Sequence, residues 1–252
     1  MGQLMHKFAT YMVLGLAGLL GGGSLLLFTA FLYAGSLSLT DLGLGQKSDL
    51  WLDAGLSLLF FIQHSGMVRK PFHQWLARFI PEAFSGAVYA LGSGAVLAAV
   101  VVFWQEGAPV FTASDGIVRW SLRALFWLSI TGFIWAGISL KSFDPCGISP
   151  VLDRLRGRIP GRMPFTARGA YLMVRHPLYL FSILMIWSCP DLTTDRLLFN
   201  FLWTVWIVIG AFLEERDLVT EFGDLYLDYQ KRVPMFIPCR IRLKRDSSHY
   251  RK

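Results

Sequence analysis

Charge is what this sequence has least of. Only 16% of its 252 residues are Asp, Glu, Lys or Arg, against roughly 25% in a soluble domain. So few charges cannot cover a water-facing surface. The 54% of residues that are hydrophobic gather instead into runs that reach or approach the roughly 20 needed to cross a bilayer core. Cysteine is also scarce. Cys146, Cys189 and Cys239 show neither CxxC spacing nor a partnered histidine pattern, which argues against a disulfide framework and against a zinc site. No metal is expected. No cleavable signal peptide is evident either: the first apolar run is long, glycine-rich and without a clear small-residue cleavage site, so it reads as a retained anchor. Its Gly21-Gly22-Gly23 is not a nucleotide loop, because no strand precedes it and no acidic residue follows at ribose spacing. Acidic residues are the minority charge, 17 against 24 Lys and Arg for a net +7. The uneven spread of that excess points to membrane topology and anionic lipid rather than to nucleic acid.

What is present is a series of apolar runs: Tyr11–Tyr33, Leu50–Met67, Phe84–Trp104, Arg119–Leu140, Leu178–Cys189 and Leu197–Leu213. They predict an all-α polytopic bundle of five or six transmembrane helices. The fifth run, about a dozen residues, is short for a full crossing at about 1.5 Å per residue. It either begins earlier, near Gly169, or forms one arm of a hairpin with Leu197–Leu213, turning at Pro190–Arg196. Two interfacial helices are expected. In Arg69–Pro81, Phe72, Trp75, Leu76, Phe79 and Ile80 recur at helical spacing with His73, Gln74 and Arg78 between them. In Lys141–Arg168, Ile148, Val151, Leu152, Leu155 and Ile159 alternate with Arg154, Arg156 and Arg158, and Pro160 stops the helix. Trp120, Trp127 and Trp135 share a face and read as packing or interface anchors. Ser36–Asp49 and Gln105–Gly116 read as loops. Glu215–Val233 reads as a helix leaving the membrane, followed by a basic tail, Arg240–Lys252.

Basic residues concentrate in Arg69–Pro81, Lys141–Arg175 and the C-terminus, and are few or absent in Ser36–Asp49, Gln105–Gly116 and Pro190–Arg196. The positive-inside rule then places both termini and the polar cluster described next on the cytoplasmic side.

Polar chemistry is concentrated between Thr166 and Pro238. Arg175-His176-Pro177-Leu178-Tyr179 opens one hairpin arm, and Glu214-Glu215-Arg216-Asp217-Leu218 closes the other. Antiparallel arms bring their open ends together, so His176 and Glu215 are expected to meet although far apart in sequence. Pro177 suits a first helical turn. Tyr226 and Tyr229 follow one turn apart. Ionisable groups beside a lipid-filled region are costly and commonly mark a site. Carboxylates, a guanidinium, an imidazole and phenols together suit a zwitterionic, aromatic ligand with a cationic centre. A salt-bridged, aromatic-belted helix end would carry the same residues. Gln63-His64-Ser65, near one end of the second run, has two placements: at the headgroup boundary, satisfied by water, or with His64 facing the bundle as part of a substrate pocket.

The set Arg175-His176-Pro177-Leu178-Tyr179, Glu214-Glu215-Arg216-Asp217-Leu218, Phe222-Gly223 with Tyr226 and Tyr229, and Val233-Pro234 resembles the C-terminal motif of the integral-membrane methyltransferases. That superfamily includes the isoprenylcysteine carboxyl methyltransferases and the phospholipid methyltransferases. Gln63-His64-Ser65 with Met67, then Pro71-Phe72 and Trp75, resembles the N-terminal half of methanethiol S-methyltransferases, as does Pro190 with Leu192-Thr193. Two positions depart from the family pattern: Gly169-Ala170-Tyr171-Leu172 stands for the usual Gly-Pro-Tyr-Arg, and Phe181-Ser182 stands where a glycine commonly follows the tyrosine.

The resemblance implies a methyltransferase using S-adenosylmethionine, bound on the cytoplasmic side of a bacterial inner membrane by Arg175, His176, Pro177, Tyr179, Glu214, Glu215, Tyr226 and Tyr229. Arg175 is expected on the methionine carboxylate, and Glu215 with Glu214 on ribose, amine or sulfonium. The acceptor implied is a small thiol, methanethiol giving dimethyl sulfide. A lipid-borne acceptor, either a prenylcysteine carboxylate or a phospholipid amine, is the alternative, and a non-enzymatic transporter or sensor is another. His64, His176, Glu214 or bulk water would take the thiol proton. Residues 1–165 are expected to form the anchoring, substrate-side bundle, 166–238 the cofactor-binding core and 239–252 the tail.

Overall fold

The computed structural model describes residues 2–113, 115–140, 143–158 and 165–238. Helix dominates. α1 (Gly2–Ala17) and α2 (Gly23–Ala34) are joined through a π-helical turn at Gly18–Gly22. α3 covers Gln46–Val68, α4 Lys70–Leu76, α5 Ser85–Phe103, α6 Ile117–Ser139, α7 Ser149–Leu155, α8 Pro177–Trp187, α9 Thr194–Phe222 and α10 Asp224–Arg232. Among the described residues, four stretches, Thr10–Ala34, Glu82–Phe103, Ile117–Ser139 and Thr194–Phe222, are long and apolar enough to cross a membrane. The chain is a multi-pass, all-α membrane protein. α3 has the length, 23 residues, but carries Lys47, Asp49 and Asp53. α8 has only 11 residues, about 16 Å of helix, and its start at Pro177 resolves the question about the fifth run: the residues near Gly169 form a separate 3-10 turn, Gly169–Leu172.

Contacts group the chain into two compact units. The first comprises Met1–Trp120, Asp144–Gly161 and Cys189–Trp203. α5 packs there against α3 and against the α1–α2 rod. The closest approach is at the π turn, where a Cβ on Gly94 would lie 2.5 Å from the Leu20 carbonyl oxygen. Only a residue without a side chain allows that spacing. Arg196, 1% exposed, donates from Nη1 and Nη2 to the Phe31 and Leu32 carbonyls at 3.2 and 2.8 Å. It thereby caps the C-terminal turn of α2, where orphan carbonyls and the helix dipole both favour a cation. Its guanidinium also lies over the Phe31 and Phe199 rings. Asp195 accepts from Trp104 Nε1 and from the Gly107 amide, both at 2.8 Å. Asp53 accepts from the Gln105 amide at 3.0 Å.

Gln105–Gly116 is more than a loop. β1 (Pro109–Thr112) pairs antiparallel with β2 (Asp191–Thr193), and Arg119 grips both oxygens of Asp191 at 2.8 Å. Four residues with one polar alternation give too short a pattern to announce a strand. The interfacial helices are shorter than their sequence patterns. α4 ends at Leu76, which is buried, while Trp75 and Phe79 stay exposed. α7 ends at Leu155, anchored by fully buried Val151 beside Ala17 and Ala87. Ile159, Pro160, Cys239 and the basic tail lie outside the described residues. Trp120, Trp127 and Trp135 are all exposed on α6, as lipid-facing anchors are.

The second unit comprises Ser121–Phe143, Arg162–Ser188 and Thr204–Lys252. The hairpin arms α8 and α9 meet near their turn through Trp187 Nε1 donating to Thr204 Oγ1 at 2.9 Å. The expected single helix Glu215–Val233 is broken: Gly223 adopts φ 55°, so α9 stops at Phe222 and α10 starts afresh. A positive φ there is strained for any residue with a Cβ. Arg168 Nε donates to the Ser139 carbonyl at 2.8 Å and caps α6.

Gly94→Ala should lower the unfolding free energy by about 1–3 kcal/mol through overpacking, read as a fall in Tm in detergent. Gly55→Ala, with nothing within 4 Å of the added methyl, should leave Tm unchanged or slightly raised.

Candidate active site

α8 begins at Pro177, whose missing N–H costs nothing at the first turn. Just before it, the chain is clamped by backbone pairing with the C-terminal segment: the Arg175 amide donates to Pro234 O at 2.8 Å and the His176 amide to Met235 O at 3.1 Å. The motif that opens one arm is therefore held by residues some sixty positions later, as well as by α9.

Glu215 is the convergence point. It is 8% exposed. Oε1 accepts from Arg175 Nε at 2.5 Å and His176 Nε2 at 3.1 Å, with the Tyr226 hydroxyl at 3.5 Å. Oε2 accepts from Arg175 Nη2 at 3.1 Å and Gln230 Nε2 at 2.7 Å. A carboxylate only accepts, so His176 carries its proton on Nε2, and Nδ1 is left facing Glu214 Oε2 at 3.7 Å. The imidazole is stacked on the Tyr179 ring at 5.4 Å and 2°, with Phe236 at 5.8 Å on it. Glu214, by contrast, is half exposed.

Arg175 is almost wholly committed. Besides Glu215, its Nη1 donates to the Gln230 and Val233 carbonyls at 2.9 and 2.8 Å. Four of the five guanidinium N–H groups are accounted for by these bonds. Tyr229 donates to the Tyr171 carbonyl at 2.5 Å. Burial pushes the Tyr226 phenol well above its ordinary range, helped by the negative Glu215 beside it. Tyr229 is raised by burial first and then by Tyr226. Both phenols are thus held protonated, as donors. Phe165 packs against Phe222, Tyr226 and Tyr229.

A cavity of about 380 Å³ opens beside Glu215, lined by Phe212, Glu215, Arg216, Val219, Thr220 and Gln230. That volume lies within the ~300–1,000 Å³ range of small-molecule sites. Among the described residues no cluster of His, Cys, Asp and Glu suits a metal.

All the residues singled out in the C-terminal half, from Arg175 to Tyr229, belong to this unit, and the ionic ones converge as the hairpin predicts. His64 belongs to the other unit. It faces its bundle there: the Tyr89 hydroxyl sits 2.9 Å from Nδ1 and 3.0 Å from Nε2, and the Phe60 ring lies 5.1 Å away. Sequence reasoning missed Gln230, Phe165, Phe236 and the Tyr171 carbonyl. Gln230 had a signal: it stands four residues after Tyr226, on the same helix face. The others are placed by tertiary contact alone. Phe181, where the family motif has glycine, lays its ring where a Cβ on Gly132 of α6 would come. The added volume is taken up by a residue that has none.

Arg175→Ala would leave Glu215 buried without its cation, a loss of about 3–5 kcal/mol in comparable pairs. Chemical denaturation should show this, and Arg175→Met combined with Glu215→Leu should cost less than the two single changes summed.

No family model matches the chain, and no solved structure matches it. Curated relatives do. A methanethiol S-methyltransferase of Pseudomonas sp. (strain GM41(2012)) is 42% identical over 194 residues, 77% of this chain and 75% of that protein. Methanethiol S-methyltransferase 2 of Bradyrhizobium diazoefficiens is 38% identical, covering 73% and 71%. A methanethiol S-methyltransferase of Pseudomonas deceptionensis is 36% identical, covering 75% and 72%.

Proposed function

The chain belongs to the methanethiol S-methyltransferase family, and we propose that it methylates methanethiol to dimethyl sulfide with S-adenosylmethionine as donor, at the cytoplasmic face of a bacterial inner membrane. The observation that carries this is the convergence of Arg175, His176, Tyr226 and Gln230 on Glu215 beside the 380 Å³ cavity. The placement of basic loops supports the cytoplasmic orientation. Residues 166–238 act as the cofactor-binding core and the preceding segment as the anchoring, acceptor-side part.

The residues present fit the donor. Tyr179 and Phe236 offer ring faces, half-exposed Glu214 offers acceptors for hydroxyl or amine, and the carboxylates favour a cationic centre. When bound, S-adenosylmethionine supplies a methyl group on a positively charged sulfur. Glu215 orients His176 through Nε2 and fixes its tautomer, so that Nδ1 is presented as an acceptor. Glu214 Oε2 lies 3.7 Å from Nδ1 on a half-exposed side chain, placed to receive the proton once Nδ1 carries one. We assign removal of the thiol proton to this His176–Glu214 pair, because alkyl thiols are weak nucleophiles until deprotonated. Pro177 and the Pro234–Met235 clamp hold the pair in place. Loss of water from the thiolate and alignment supply much of the rate.

Detergent-purified protein given labelled S-adenosylmethionine should label methanethiol in preference to longer thiols, a prenylcysteine or lipid amines offered in parallel. Glu215→Ala and His176→Ala should each abolish donor binding by equilibrium dialysis. Full binding by both variants, or preference for the lipid-borne acceptors, would overturn the assignment.

A further inference from the structure

We propose that Arg216 holds the carboxylate of the methionine portion of the methyl donor, an assignment that rests on the donor named above. A carboxylate placed next to Glu214 and Glu215 requires a cation, since like charges close by repel it. Arg175, the obvious choice in sequence, has one N–H left after Glu215 and two backbone carbonyls. Arg168 is bound to the end of α6. Lys231 is paired with Asp228 at 2.9 Å. Arg216 differs from all three. It lines the cavity, and no hydrogen bond or ion pair joins its guanidinium to another described residue.

The neighbouring carboxylates do not neutralise it, for a geometric reason. Successive residues of a helix are turned by about 100°. Glu215 points to Arg175, His176 and Gln230, and Glu214 lies toward His176 Nδ1. Arg216 shares its face with Phe212, Val219 and Thr220, at spacings of four, three and four, and that face is the cavity wall. Gln230 of α10 forms the opposite side and is itself pinned to Glu215 at 2.7 Å. Among the described residues, the cavity therefore presents one free planar cation with donors in the fork geometry that matches a carboxylate. The adjacent Glu215 charge is already compensated by Arg175. Two arginines thus divide the work: Arg175 builds the wall, and Arg216 receives the ligand.

The test measures equilibrium binding by calorimetry, with S-adenosylmethionine and its decarboxylated analogue as paired probes. Arg216 is exposed, so Arg216→Ala should fold, and its Tm should match that of the unsubstituted protein. Arg216→Ala should bind S-adenosylmethionine about 10- to 100-fold more weakly, the effect of losing a charge-assisted contact. Its affinity for the decarboxylated analogue should change less than about twofold, and Arg216→Lys should recover part of the loss. Unchanged affinity for S-adenosylmethionine, or an equal fall for both probes, would overturn the role of Arg216 while leaving the donor assignment standing. Failure of the unsubstituted protein to bind either probe would overturn the donor assignment and this inference together.

Discussion

The ion pair between Arg175 and Glu215 is the constraint on which the second unit of the molecule depends. Both side chains are nearly buried, at 12% and 11% exposure, and desolvating two charges is repaid only when every remaining donor and acceptor finds a partner. Here they do. His176, Gln230 and Tyr226 complete the carboxylate, and the Gln230 and Val233 carbonyls complete the guanidinium. The pair therefore joins three parts of the chain at once: the start of α8, the end of α9 and the segment after α10. None of the three can move independently without stranding a charge.

That commitment explains why neighbouring residues of like type behave differently. Glu215 is saturated, while Glu214 is half exposed beside His176 Nδ1. Arg175 is saturated, while Arg216 is unpartnered among the described residues. The separation comes from the 100° turn between successive helical residues: one face of α9 closes the ion-pair network and the next lines the cavity. A methyl donor that is itself zwitterionic is suited to such a division between fixed and available charges.

The first unit shows the same economy of polar groups. Arg196 sits at the end of α2. Its charge is met by the terminal carbonyls of α2 and by the Phe31 and Phe199 rings. Asp195 next to it takes the Trp104 indole and the Gly107 amide. In both units, ionic side chains at helix ends tie down backbone that lipid would leave unsatisfied.

Much of this was legible in the sequence. The apolar runs located the helices because a bilayer sets their length, and the Arg175-His176-Pro177 and Glu214-Glu215 motifs located the polar cluster because charge there is costly. The hairpin brought them together by connectivity alone. Other features were not legible. The short β1–β2 pair, the break at Gly223 and the early ends of α4 and α7 depend on contacts too local or too distant for periodicity to report. The nesting of Phe181 against Gly132 joins residues some fifty positions apart.

By itself, then, the sequence determined that the chain is helical, lies in a membrane and gathers its ionisable groups at one end of a hairpin, because hydrophobic length and charge cost are properties of composition and order. Tertiary structure alone decided which carboxylate and which guanidinium are paired with each other and which stay exposed. Hydrogen-bond saturation is a matter of distance and direction between side chains, and residue order carries neither.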